Sequence, residues 1–207
     1  SGGVVSGDVI FTNGMQNGFA DAVRNGTTHI NNAGLLSDSY ILNFNPTQGF
    51  FKDLGEAAKD VWGAHTGLTH SQLAKNLAGT VNQLSERGIT GLNLIGHSQG
   101  GAITASALRY ASKSGLNLTS LAGGSVAFHG APVNIRIANS RFAGKGFGVV
   151  HRAQFGDAVH VLGGLNFTNP LELPISVYRS PTLFSSDASL SPHTLPCAGG
   201  RSVVCAP

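Results

Sequence analysis

The stretch Gly96-His97-Ser98-Gln99-Gly100 combines residue types that nucleophilic chemistry requires. A serine hydroxyl is a weak nucleophile until a base removes its proton. The backbone must also present the oxygen clear of its own strand. A sharp strand-to-helix turn does this, but it crowds the positions two before and two after the serine, which must be small. Gly96 and Gly100 occupy those positions. The apolar run Leu92-Asn93-Leu94-Ile95 precedes the turn and the alanine-rich segment Ala102 to Ser112 follows it. The pattern therefore predicts strand, turn and helix in that order. The first turn of such a helix offers backbone N–H groups and a positive dipole end to a developing oxyanion. The plain alternative is a glycine-rich turn that merely contains a serine.

Other elements must position this turn. Val9-Ile10-Phe11 reads as a short strand ending at the turn signal Asn13-Gly14. Phe19 to Val23 reads as a short helix, and Tyr40 to Phe44 as a strand that stops before Pro46. Phe50, Phe51, Leu54, Ala58, Val61 and Trp62 recur at helical spacing. A further helix starts near Thr69, where Gln72 completes a capping box, and buries Leu73, Leu77, Val81 and Leu84 before stopping at Gly88. Ser125 to Phe128, Gly148 to Phe155 and Ile175 to Tyr178 read as strands. Strands alternating with helices predict an α/β fold, a mostly parallel sheet with helices on both faces. With no internal repeat or linker, residues 1–207 read as one domain. Ser1-Gly2-Gly3 reads as an excision boundary.

Composition narrows the class. Hydrophobic residues make up 41% and charged residues 11%, against roughly 25% charged in an average globular chain. Low charge together with 29 Gly suggests an exported or surface-associated protein. The net charge is +3 without any basic run, which argues against a nucleic-acid footprint. No apolar stretch has membrane-span length and no signal peptide is visible. Cys197 and Cys205 close a short loop through Gly199-Gly200; a disulfide and two free thiols both remain open. Two cysteines without a nearby histidine pair make a poor zinc set, so no metal is expected.

Leu94-Ile95-Gly96-His97-Ser98-Gln99-Gly100-Gly101-Ala102 resembles the nucleophile elbow of the α/β-hydrolase superfamily, and within it of lipase-like and esterase-like members. Val9-Ile10-Phe11-Thr12-Asn13-Gly14-Met15 looks like the oxyanion-loop strand of such enzymes. The resemblance implies an α/β-hydrolase fold, with a small cap or none in a chain this short. It also implies a cofactor-free triad in the chain order nucleophile, acid, histidine. The acid is implied at the end of the second strand after the elbow, where Asp157 follows Gly156; Asp187 is the other candidate. The family order leaves His193, in Ser191-Pro192-His193-Thr194, as the base. His29, His65 and His70 precede the serine, His97 packs or lines the pocket, and His129, His151 and His160 lie too early or too close to the acid. The oxyanion donors implied are the backbone N–H of Gln99 and that of Met15 or Gly14, with the Asn13 side chain as an alternative.

Substrate class rests on apolar segments. Phe50, Phe51 and Trp62 lie where a lid forms in such enzymes, and Val161, Leu162, Leu165, Phe167, Leu171 and Leu173 lie between the acid and the expected last strand. Near a site mouth they suit a fatty acyl chain; the commoner fate of such residues is core. The leading expectation is a lipase or phospholipase with peripheral membrane contact. A short-chain carboxylesterase, thioesterase or cutinase-like enzyme is the alternative, and a non-catalytic binding module on the same fold is another. The glycine- and asparagine-rich style also resembles effector domains of bacterial secreted or surface toxins, which implies delivery to a target cell and an inhibitor or immunity protein as partner.

Overall fold

In the computed structural model, residues 8–14, 18–35, 39–46, 61, 65–153, 157–166, 171–179 and 193 are described. Five strands, β1 (Val9–Thr12), β2 (Ile41–Asn43), β3 (Asn93–His97), β4 (Ser125–His129) and β5 (Gly148–Arg152), pair in the order β2-β1-β3-β4-β5. Every pairing is parallel. β1 and β3 are buried at every position, as expected of parallel strands covered on both faces. Among the described residues five α-helices join and cover them, α1 (Phe19–Asn32), α2 (Gln72–Glu86), α3 (Gln99–Lys113), α4 (Ile135–Phe142) and α5 (Glu172–Arg179), together with a 3-10 turn Thr119–Leu121 and a π-helical turn Val159–Gly163.

Side-chain alternation divides the core. Ile10, Leu94, Val126 and Phe128 point to one face, where they pack with Leu77 and Val81 of α2, Ile103 and Leu108 of α3 and Phe142 of α4. Val9, Phe11, Ile95 and Ala127 point to the other, against Ile30 of α1. Chain order explains the split. From β1 the chain steps outward through α1 to β2, then returns past β1 to β3 and continues the other way to β4 and β5. Right-handed crossovers in opposite directions put their helices on opposite faces. The reversal leaves a crevice between the C-terminal ends of β1 and β3, the usual ligand position in open α/β sheets.

Several boundaries differ from those read in the sequence. α1 runs on to Asn32, far beyond Val23. The cap of α2 is Ser71, whose Oγ accepts from the Ala74 N–H at 3.1 Å, two residues after Thr69. α4 had no strong apolar stripe in the sequence and starts at the Asn134 cap. β5 ends at Arg152. Ile175 to Tyr178 is not a strand but part of α5. Four alternating residues fit either state, and Pro174 in the first helical turn lacks only an N–H that has no intrahelical acceptor there. Of the residues read at helical spacing from Phe50 to Trp62, Val61 is helical, while Phe50, Phe51, Leu54, Ala58 and Trp62 lie outside the described residues, as do Phe167, Cys197 and Cys205. Among the described residues no helix is long and apolar enough to cross a membrane.

Candidate active site

Ser98 is the link between β3 and α3, with φ 56° and ψ −128°. A non-glycine residue there stores about 1–3 kcal/mol of strain and persists only where surrounding contacts impose it. The glycines show how. A Cβ on Gly96 would lie 2.6 Å from the Gly100 carbonyl oxygen, and one on Gly100 only 2.1 Å from that of Thr12. The turn is thus clamped against both its own helix and β1. The Ser98 N–H donates to the His129 carbonyl at 2.9 Å, extending the β3–β4 ladder through the strained residue.

The loop after β1 closes the other side. A Cβ on Gly14 would fall 2.7 Å from the Ser98 Cβ and 3.2 Å from its Oγ, so only glycine lets the chain approach this closely. Asn13 is buried and its amide is spent: Nδ2 donates to the Gly14 and Asn45 carbonyls at 2.9 and 3.0 Å, and Oδ1 accepts from the Asn45 N–H at 2.8 Å. Its side chain is therefore a brace of the loop, not the oxyanion donor the sequence left open. Gln99 is also buried, its Oε1 accepting from Asn45 Nδ2 at 2.7 Å. Its backbone N–H belongs to the first turn of α3, where intrahelical acceptors are missing. Met15 lies outside the described residues.

Asp157 and His193 meet beside this turn. Both are buried, and His193 Nδ1 lies 3.1 Å from each carboxylate oxygen of Asp157. A carboxylate only accepts, so Nδ1 carries the proton and a neutral ring leaves Nε2 as a base. Asp157 is itself held, Oδ1 accepting from the N–H groups of Val159 and His160 at 3.0 and 3.3 Å. Gly130, at φ 51°, makes room for the pair: a Cβ there would lie 2.7 Å from Asp157 Oδ2 and 3.1 Å from His193 Nδ1. Asp187 lies outside the described residues, and His193 follows a helix where the sequence suggested a last strand. His160, set aside as too near Asp157, caps it through its backbone, while His151 stays within β5 with its ring tilted against Phe128.

A column of buried histidines behind the pair escaped the sequence reading. His97 stacks on His193 at 5.0 Å between ring centroids, His29 stacks on His97 at 4.4 Å, and Phe11 stacks on His29 at 5.5 Å. His29 and His129 share a proton between their Nδ1 atoms, 3.0 Å apart. Burial, reinforced by the neighbouring histidines, holds all three neutral: His97 is pushed down to about 4, His129 to about 3, and His29 well below the usual imidazole range. One signal was present in the sequence. His97 and His129 each precede a glycine- or serine-bearing turn at a strand end, and they are register partners in the sheet.

Comparison with family models, with curated proteins and with solved structures finds no match.

Proposed function

We propose that the chain is a serine hydrolase with an α/β-hydrolase core, cleaving carboxylic esters through Ser98, His193 and Asp157. The observation that carries this reading is a strained serine at a strand-to-helix turn, packed at the sheet's reversal point beside a buried histidine–carboxylate pair. Neither the strain nor the buried carboxylate is favourable for folding by itself, and together they form a nucleophile with an oriented base.

In the proposed reaction His193 Nε2 removes the Ser98 Oγ proton as Oγ attacks the acyl carbon. The oxyanion that forms is met by the Gln99 N–H and by the loop after β1. Collapse expels the alcohol, which takes the proton back from His193, and leaves an acyl-serine. Water, deprotonated by the same nitrogen, then attacks the acyl carbon, and the acid leaves as Ser98 Oγ takes the proton back from His193. Asp157 keeps the proton on Nδ1 and stabilises the imidazolium.

A lipid acyl ester is the substrate class favoured. Leu162, Leu165, Leu171, Leu173, Val177 and Tyr178 are exposed in the segments that follow Asp157, whereas the polar Ser176 of α5 is fully buried. Apolar residues turned outward near a site suit an apolar substrate.

Labelling with a fluorophosphonate tests the chemistry. The parent chain reacts at one serine and Ser98→Ala does not; equal labelling of both disproves the nucleophile. Esters of rising chain length, with phospholipid vesicles as the last member, test the substrate. Activity confined to short soluble esters would make this a carboxylesterase or thioesterase instead.

A further inference from the structure

His97 has a tautomer that its surroundings dictate. Its Nε2 lies 2.9 Å from the backbone oxygen of His193. A carbonyl only accepts, so Nε2 bears the proton and Nδ1 is a bare lone pair. That Nδ1 is buried and has no hydrogen-bond partner among the described residues, an unfavourable arrangement because a buried acceptor left unpaired forfeits its bond to water. A buried aromatic hydrocarbon would pack here without that cost, so the ring is placed for its donor. The carbonyl it holds belongs to the residue whose Nδ1 bonds Asp157, and the two rings also stack.

We propose that His97 is a positioning residue for the base: its Nε2–H anchors the His193 backbone and its ring backs the His193 imidazole, keeping Nδ1 on Asp157 while Nε2 gains and loses a proton. His193 comes from a segment with no strand or helix assigned at that position, so this anchor does for the base what the glycine clamp does for Ser98. The column behind His97 keeps it from acting as a second base. His29 faces it from α1, His129 beside it from β4 with Arg152 of β5 near His129, and Asp157 and His193 in front. Burial and these rings favour the neutral form, so no second cation forms against the imidazolium.

The kinetic consequence rests on the serine-hydrolase reading; the structural one does not. Two variants separate the roles of ring and donor. His97→Phe keeps an aromatic ring and loses the N–H, and His97→Gln loses the ring and keeps an N–H at nearly the same place. The low-field Nδ1 proton resonance of His193 reports its bond to Asp157 without any substrate. That resonance is expected in the parent and in His97→Gln, and lost or broadened by exchange in His97→Phe. With a p-nitrophenyl ester, His97→Phe should lose on the order of 10²-fold in kcat, the cost of a small misplacement, with KM held within about twofold because substrate binding is untouched. His97→Gln should recover most of the loss. A His97→Phe chain that keeps the resonance and the parent kcat overturns the proposal. So does a His97→Gln chain that fails as badly as His97→Phe. Should Phe not be accommodated in the fold, His97→Asn, one methylene too short to reach the carbonyl, takes its place against Gln. If the parent is not labelled by the fluorophosphonate but the resonance responds as expected, the hydrolase reading falls and the anchor stands.

Discussion

The two halves of the candidate site are held by different physics. The Ser98 half is a steric construction. Its parts lie within one strand, one turn and one helix, and they are locked because any Cβ on Gly96 or Gly100 would collide with backbone of the same unit or of β1. The Asp157–His193 half is an electrostatic one. Its partners stand 36 residues apart and meet through hydrogen bonds, with His97 as a third contact. Hard contacts tolerate no added atom, whereas hydrogen bonds tolerate any change that preserves shape but not a change of donor or acceptor. The candidate site thus places its proposed nucleophile by volume and its proposed base by charge and proton position.

This contrast can be broken most severely on the steric side. Gly100→Ala puts a methyl group into the Thr12 carbonyl at 2.1 Å. Expression should yield no cooperatively melting protein and hence no activity; a folded, labelled variant would mean that the clamp gives way. On the electrostatic side Asp157→Asn changes no volume. It should fold like the parent by circular dichroism and lose about 10⁴-fold in kcat, since the amide favours the wrong tautomer of His193. Retained turnover in Asp157→Asn would return attention to Asp187. Gly130→Ala lies between the two, because its Cβ would meet the Asp157 carboxylate and its φ is positive. Side-chain oxygen yields more readily than backbone. The variant should fold, melt a few degrees lower and lose roughly 10-fold to 10²-fold in kcat.

The mildest probe is acid. His97 and His129 are held down to about 4 and about 3, and His151 to about 4, chiefly by burial. Unfolded, each takes up its proton near pH 6.5. The unfolded state therefore binds more protons than the folded one between roughly pH 6.5 and 4, and stability rises with pH across that window. The contribution is whole above pH 6.5 and is lost as pH falls through the folded values. Urea midpoints measured from pH 7 to pH 4 should fall steadily, and less steeply in His97→Phe, which removes one of the titrating groups. Identical slopes in the two proteins would show that His97 is not kept neutral.

Legibility followed distance along the chain. The elbow was readable because a strand, two small residues and a helix fall within twenty residues of Ser98, and each leaves a local mark. Asp157 and His193 were singled out only through the order implied by the resemblance, and what brings them together is contact across the sheet edge. The Ile175 to Tyr178 error has a simple cause: four alternating residues carry no period long enough to separate strand from helix, and among the described residues this segment is helical and joins no sheet. The role of Asn13 stayed open in the sequence because two of its three amide contacts are to Asn45, which joins it only when β2 pairs with β1.

What the sequence by itself determined is the strand-turn-helix around Ser98 and the α/β alternation that carries it, since both follow from local sterics and apolar periodicity. Tertiary structure alone decided the proton positions. The tautomer of His193 depends on Asp157, that of His97 on a carbonyl 96 residues away, and the neutrality of His29 and His129 on helix α1 closing over the ends of β3 and β4. Such proton positions depend on burial and on partners from distant segments, and neither exists until the sheet has assembled.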